Sequence, residues 1–435
     1  MTDHLVALLG GQAVGQVHLD RRGRLSFVYN DDWRDAPDAY PLSVSMPLAA
    51  VEHGHAAIEA FLWGLLPDNE FVLDRWARKF QVSARSAFAL ISHVGEDCAG
   101  AVQFVRPERV EAYSRGEVGT VDWIDEHGVA ERLRMLRADH SAWRAPRDTG
   151  QFSLAGAQPK TALLLENGRW GVPSGRIPTT HILKPPMGEF DGHAENEHLC
   201  LALARRLGMP TVSSHVMRFE DQAAIVVERY DRRPTNRGLI RIHQEDICQA
   251  LGVLPTRKYE NEGGPGARAV IDLLREYSGA REEDVSTFAD ALAFNWLIAG
   301  TDAHAKNYSI LIGSGGRVRL APLYDMASAL PYDDMDVQKL KLAMKIGRSY
   351  RLRDIGPNDW RRFAADNRLD PEAIVERLTS LAEQLPDEAL SVRDEMTSQK
   401  LSHSLTGRLA DRMQSRATGC LKDFRAASKN TAGSS

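Results

Sequence analysis

Three short runs of apolar or alternating residues open the chain, at 5–9, 14–19 and 25–29, separated by Gly10-Gly11 and by Arg21-Arg22-Gly23. Period-two runs bounded by turn residues predict a β-meander. Pro41-Leu42-Ser43-Val44-Ser45-Met46 extends it as a fourth strand. The pattern becomes helical over residues 56–66, halts at Pro67-Asp68 and resumes as a helix over 69–80. Two further short apolar runs, 88–91 and 101–104, flank the loop Gly95-Glu96-Asp97-Cys98-Ala99-Gly100. Residues 1–106 are thus predicted to form an α+β module of ordinary domain size.

Residues 107–150 are charge-rich, with one helix around Val129, Leu133 and Leu136 and a separating loop over 144–150. Strands dominate 151–230, at 161–166, 169–172, 180–184, 216–219 and 224–229, with Asn167-Gly168 as a hairpin turn. One helix, 193–207, interrupts them and ends at Gly208 and Pro210. Beyond Tyr230 helical spacing takes over, at 245–251, 269–277 and 285–299, around the irregular stretch Tyr259-Glu260-Asn261-Glu262-Gly263-Gly264-Pro265-Gly266. Asp370-Pro371 is a cap and first-turn signal, and Ile374, Leu378, Leu381 and Leu385 follow it as one stripe. Residues 429–435 carry nothing that could pack and are expected to be disordered.

The 435 residues are 43% hydrophobic and 26% charged, an ordinary globular balance. No apolar run approaches the roughly 18 residues of a membrane span. No basic-then-apolar export signal opens the chain, so a cytoplasmic protein with no membrane partner is expected. A net charge of −5 gives no global field for nucleic acid, and the basic cluster Lys339, Lys341, Lys345, Arg348, Arg351, Arg353 reads first as a solvated face. Cys98, Cys200, Cys248 and Cys420 lie far apart and read as reduced, structural thiols. His53 and His55 read as surface histidines rather than metal ligands.

One stretch changes this bland picture. Gly300-Thr301-Asp302-Ala303-His304-Ala305-Lys306-Asn307 follows an apolar run and precedes a strand-like one at 308–312. Asp302 and Asn307 stand five positions apart, the spacing of the aspartate and asparagine in a protein-kinase catalytic loop. Asp325 follows a second apolar strand and turn, where a second metal ligand is expected. Each residue alone is an ordinary cap, turn or solvated carboxylate. Their joint placement at element edges predicts phosphoryl transfer, with Asp302 as base and Asn307 and Asp325 as hard oxygen ligands for Mg²⁺. His304 would brace the loop and Lys306 steady the transferring group. Lys184 ends an apolar strand, where a kinase needs a lysine on the nucleotide phosphates paired to a helix carboxylate, here Glu197. Ser153 to Lys160 is small, polar and glycine-containing, suited to backbone contacts with phosphates, and Val227-Glu228-Arg229-Tyr230 sits where an adenine-binding hinge would lie. The fold class expected is α+β, a two-lobed protein-kinase-like fold. It would comprise an N-terminal subdomain (1–106), a helical connector (107–150), a β-rich lobe (151–230) and an all-helical lobe (231–428).

The chain resembles the HipA-type serine/threonine kinase toxins of bacterial type II toxin–antitoxin pairs. The resemblance rests on Phe61-Leu62-Trp63-Gly64-Leu65-Leu66-Pro67-Asp68-Asn69, residues 153–160, Pro178 to Lys184, Val227 to Asp231, Gln244 to Gln249, residues 258–266, Thr301 to Asn307, Tyr324-Asp325 and Lys339 to Met344, in family order. It implies an ATP- and Mg²⁺-dependent kinase that phosphorylates an aminoacyl-tRNA synthetase, arrests growth and promotes persistence. It also implies a small HipB-like helix-turn-helix antitoxin, with operator DNA contacted mainly through that partner. By motif match Asp302 accepts the proton, and Asn307 and Asp325 hold the metal. Ala155, Gly156, Ala157, Gln158 and Lys160 form the phosphate loop with Lys184, while Glu228, Arg229 and Tyr230 form the hinge. His304, Lys306 and Tyr324 complete the nucleotide-facing set. Ser153 would be the autophosphorylated serine, whose charge beside the nucleotide phosphates expels the loop. Pro159 stands where the family commonly has an acidic residue. Two other classes remain open on sequence: a co-repressing partner of the antitoxin with a vestigial site, and a small-molecule or lipid kinase of related fold.

Overall fold

The computed structural model describes residues 3–116, 118–145, 148, 152–186, 192–236, 238–399, 401 and 403–432, with side chains up to residue 426. Much of the loop expected at 144–150 lies outside the described residues, as do 433–435. The described part of the expected tail, up to Ala432, continues a helix. The chain forms two compact units.

The first unit comprises Met1–Pro185, Met217–Lys258 and Ser309–Ala321. Its amino-terminal sheet has five antiparallel strands in the order Glu52–His53, Leu25–Tyr29, Gln12–Leu19, Asp3–Leu9, Val102–Val105. The expected strand at 41–46 is a tight turn instead. Met46 N–H bonds Ser43 O at 2.9 Å, while the Leu42 and Val44 N–H groups are taken by Tyr29 Oη and Glu245 Oε1, both at 2.8 Å. With its donors committed to side chains, the segment joins no ladder, and Glu52–His53 occupies the sheet edge. The apolar run at 88–91 lies in the helix Ala87–Val94, capped by Ser86. Helices His55–Leu65 and Glu70–Phe80 flank the Pro67-Asp68 stop, and Asn69 caps the second through its side chain.

A second antiparallel sheet follows the order Ser214–Phe219, Gln222–Glu228, His181–Lys184, Thr161–Glu166, Arg169–Pro173, Val121–Ile124. Asn167 and Gly168 both take positive φ, 52° and 75°, as a tight hairpin twisted with its strands requires. One apolar core runs from Leu5 through Phe61, Phe104 and Trp143 to Leu183 and Val226. His53 is buried in this unit, its Nε2 3.1 Å from Pro47 O, and not at the surface as expected.

The region beyond Tyr230 is not all-helical. Arg232–Thr235 pairs with Gly238–Arg241, and His243–Asp246, Ser309–Gly313 and Arg317–Leu320 form a three-stranded sheet. The helix expected at 245–251 starts as a strand, and only Ile247–Ala250 is helical, behind an Asp246–Gln249 capping box.

The second unit comprises Pro186–Val216, Tyr259–Tyr308 and Pro322–Ser435. Helices His193–Arg206, Arg281–Ile298, Pro371–Ser398 and Ser404–Ala432 pack together, with Trp296, Trp360 and Phe424 edge-on among them. Pro371–Ser398 starts where expected, capped by Asp370 with Pro371 in its first turn. A short hairpin, Lys341–Ile346 with Ser349–Arg351, adds the remaining strands.

Candidate active site

The helix Arg281–Ile298 ends at Ala299, which takes a left-handed conformation with φ 54°. Gly300 follows because nothing larger fits: a Cβ there would lie 2.2 Å from Asn295 Oδ1. Arg416 bonds the Trp296 and Leu297 carbonyls left over at this helix end, at 3.0–3.2 Å. The chain then turns through Asp302 to Asn307. His304 N–H bonds Asp302 O at 2.8 Å, and Asn307 donates to the same carbonyl through Nδ2, also at 2.8 Å. His304, Ala305 and Lys306 are buried, whereas the Asp302 side chain is 69% exposed. Buried backing residues and an exposed carboxylate suit a loop that presents one acid to solvent.

Asp325 belongs to a segment fastened to that loop. Leu323 N–H bonds Pro210 O at 2.8 Å and Val212 N–H bonds Leu323 O at 3.0 Å. Tyr324 Oη donates to Lys306 O at 2.9 Å. Ser328 Oγ donates to Ile298 O, and Ala329 N–H bonds Ala299 O at 3.1 Å. Asn196, on the helix His193–Arg206, clamps Ser328 from both sides, accepting from its N–H at 3.0 Å and donating to its O at 2.8 Å. The segment carrying exposed Asp325 therefore lies along the loop carrying Asp302 and Asn307. Asp325 itself adopts φ 56°, a left-handed conformation that costs a non-glycine residue energy and recurs at functional sites.

These donors fit Mg²⁺. Asn307 commits Nδ2 to a carbonyl, which makes Oδ1 its remaining acceptor end, and Asp325 supplies a carboxylate. Mg²⁺ typically takes few protein oxygens and keeps waters and substrate phosphates for the rest. Among the described residues no three His, Cys, Asp or Glu side chains cluster as a metal cage.

The first unit holds the other predicted residues except Glu197. Lys184 is buried in a strand paired with Ile225. The loop at Ala155, Gly156, Ala157 and Gln158 rests on the helix–helix turn: Asp68 N–H bonds Gly156 O at 3.1 Å, and Asn69 Nδ2 lies 3.5 Å from Ala157 O. Lys160 folds back on this loop, its Nζ 2.6 Å from Ala155 O and 4.9 Å from the Trp143 ring centre. Ser153 is fully buried, its Oγ donating to Leu65 O at 2.8 Å and its N–H to Asp97 O at 2.9 Å. Glu228 is exposed at its strand end. Arg229 is not. Its guanidinium bonds Asp231, Thr179 and Cys98 O, and its N–H bonds Thr180 O. Tyr230 Oη bonds Gln244. In the second unit, Glu197 is buried on the helix that carries Asn196.

Two features escape a linear reading. Tyr259 bonds Asp302 from 43 residues away, at 2.6 Å. A buried ion cluster joins Asp97, Arg229, Asp231, Arg232 and Arg241. Asn295, by contrast, was detectable as an amide inside an apolar run.

The family model described as HipA-like C-terminal domain matches residues 152–389, and the HipA N-terminal domain matches 5–105. The Sinorhizobium fredii protein Y4mE is 35% identical over 410 residues, covering 94% of this chain and 96% of that one. The serine/threonine-protein kinase toxin HipA of Shewanella oneidensis is 30% identical over 393 residues, covering 87% and 86%. The solved structure of Shewanella oneidensis HipA, in a complex with HipB and operator DNA, superimposes with a TM-score of 0.82 at 26% identity, over 97% of this chain and 98% of that one. The fold is the kinase-like α+β fold of that protein, and the chain belongs to the HipA family.

Proposed function

We propose that this chain is the toxin kinase of a type II toxin–antitoxin pair, transferring the γ-phosphoryl group of ATP to serine or threonine hydroxyls. The observation that carries the reading is the fastening of the Tyr324-Asp325 segment against the Asp302–Asn307 loop. Asp302 takes the acceptor's O–H proton as the acceptor oxygen bonds the γ-phosphorus. The bond from that phosphorus to the bridging oxygen breaks, and ADP leaves. Bound by Asn307 and Asp325, Mg²⁺ would neutralise charge on the phosphates. Ala155, Gly156, Ala157, Gln158, Lys160 and Lys184 hold the phosphates. Glu228, Arg229 and Tyr230 border the adenine through main chain, since the Arg229 side chain is committed elsewhere. His304, Lys306 and Tyr324 support the loop.

The protein acceptor in this reading is an aminoacyl-tRNA synthetase, with arrest of translation and persistence as the outcome. A HipB-like antitoxin neutralises the kinase and carries it to operator DNA. The working division is a subdomain at 1–106, a connector at 107–150 and lobes at 151–230 and 231–428. Autophosphorylation falls on Ser153. Because that hydroxyl is buried and bonded to Leu65 O, the loop must leave its seat before modification. A phosphate there cannot return to a site that solvates no charge. The test is incorporation of label from γ-labelled ATP at Ser153. Wild type should label, and Asp302→Gln should not. Equal labelling of the two proteins refutes the reading. Phosphoproteomics after brief induction then identifies the acceptor, and an unmodified set of synthetases removes that part.

A further inference from the structure

Asp302, as the proposed base, needs a group that aims it. A carboxylate 69% exposed on a loop tip has rotational freedom, and a base earns its effect only when it is oriented. Two side chains face its Oδ1: Tyr259 Oη at 2.6 Å and His304 Nε2 at 3.9 Å. Those two also touch each other, with the Tyr259 and His304 rings edge to face at 5.0 Å. His304 is buried and so offers a fixed wall. Tyr259 is held at its own backbone, where its carbonyl accepts from Glu262 N–H at 3.1 Å and Gly264 N–H at 2.9 Å. The phenol is thus a rigid donor delivered from a distant loop.

Resting on that reading of Asp302, we propose that Tyr259 is the positioning residue of the kinase: it engages Oδ1 of Asp302, so that Oδ2 is the oxygen presented to the acceptor hydroxyl. The division of labour is that of a base oriented by a third group. The phenol neither receives the phosphoryl group nor contacts ATP. Its removal should therefore slow transfer without weakening nucleotide binding.

The experiment follows label incorporation into the full-length chain as a function of ATP concentration. Tyr259→Phe should lower the maximal rate by about 10- to 100-fold, a part of the roughly 10²–10⁴-fold that a positioned base contributes, and leave the half-saturating ATP concentration within about twofold. A second variant keeps the ring in place: 3,5-difluorotyrosine incorporated at 259, whose phenol ionises well below the usual tyrosine value of about 10. Its rate should match wild type in mildly acidic buffer and fall as pH rises and the donor is lost, while wild type stays level over that range. A purely structural tyrosine would show no such fall. The inference is overturned if Tyr259→Phe keeps the wild-type maximal rate, or if the loss lies only in ATP affinity, or if the fluorinated protein follows wild type with pH. Asp302→Gln separates the two levels of the argument. Label in that variant removes the base itself, whereas a dead Asp302→Gln beside a fully active Tyr259→Phe removes only the positioning role.

Discussion

Replacing Asp97 by Asn should destabilise the first unit by about 3 kcal/mol, and Asp97→Ala by more. Asp97 is 5% exposed and accepts from Arg232 Nη2 at 2.8 Å, Arg241 Nη2 at 3.1 Å, Thr179 N–H at 3.0 Å and Thr179 Oγ1 at 2.7 Å, with Arg229 Nη1 at 3.5 Å. With Asp231 it balances three buried guanidinium groups. Burial alone would raise its carboxyl pKa, but Arg232, Arg229 and Arg241 overcome that and hold it well below the ordinary range. Burial, and then the charge of Arg229, lower Arg232 to about 10. Removing one carboxylate leaves three cations facing a single anion, and breaking such a buried pair costs roughly 3–5 kcal/mol. Asn keeps one acceptor and belongs at the low end. Urea unfolding followed by tryptophan fluorescence is the assay, with a midpoint fall of about 1 M for an m-value near 3 kcal/mol/M. Adding Arg232→Gln to Asp97→Asn should recover about 1–3 kcal/mol, since each single change strands the other partner. A group whose folded pKa is depressed gives stability above its unfolded pKa, about 3.9, and loses it as pH falls toward the folded value. The acid limb of wild-type stability should thus lie below about pH 4 and be shallower in Asp97→Asn. A midpoint shift under about 0.3 M, or strictly additive single effects, refutes the reasoning.

Burial pushes Glu245 up to about 8, against hydrogen bonds to its charged form. Between its reference value of 4.5 and about 8 the folded chain holds a proton that the unfolded chain releases. Wild type therefore loses up to about 5 kcal/mol across that window. Glu245→Gln keeps the acceptor for Val44 N–H and should remove the loss, seen as a higher thermal midpoint at pH 8.5 and little change at pH 5; equal midpoints at pH 8.5 contradict it. Gly300→Ala should cost about 1–3 kcal/mol by overpacking against Asn295 and cut label incorporation, whereas retention of both stability and rate would show that the loop has room. Asp325→Gly relieves a left-handed residue but deletes the proposed metal ligand, so melting should rise or hold while activity vanishes. A variant that still transfers phosphate excludes Asp325 as a ligand.

Local signals explain what the sequence made visible. The Asn167-Gly168 hairpin, the Asp370-Pro371 helix start and the Gly208 stop each depend on backbone rules that act within a few residues, and all three stand as expected. The Asp302–Asn307 loop stands out for the same reason, since the chemistry proposed for it rests on one spacing. The misplaced strand at 41–46 shows where such reading ends. Its alternation was real, but Tyr29 and Glu245 claimed its backbone donors, and no local rule counts acceptors arriving from 201 residues away. Beyond Tyr230 the runs at 308–312 and before Asp325 are strands as expected, whereas His243–Asp246 escapes a local reading because it is four residues long and finds its partner, Ser309–Gly313, across more than sixty residues.

Arg229 carries the same lesson into the site. Next to a strand end in a kinase-like chain, a motif match assigns it to the hinge. The structure spends its guanidinium on Asp231, Thr179 and the Cys98 carbonyl, and Asp97 and Cys98 come from the amino-terminal module. A motif records that a residue stands at a position, not which of its atoms is used. Here the main chain of Arg229 stays at the strand end while its side chain ties that strand to the Gly95–Gly100 loop. The Asp97 whose side chain anchors this cluster also accepts, through its backbone carbonyl, from Ser153 N–H. A single loop of the amino-terminal module thus grips both the strand end beside Glu228 and the entry to the loop at Ala155–Gln158, proposed above to hold phosphates. Weakening the ion cluster should therefore loosen the seat of Ser153 as well, and faster autophosphorylation of Asp97→Asn than of wild type, at a temperature where both remain folded, is the result that this coupling demands.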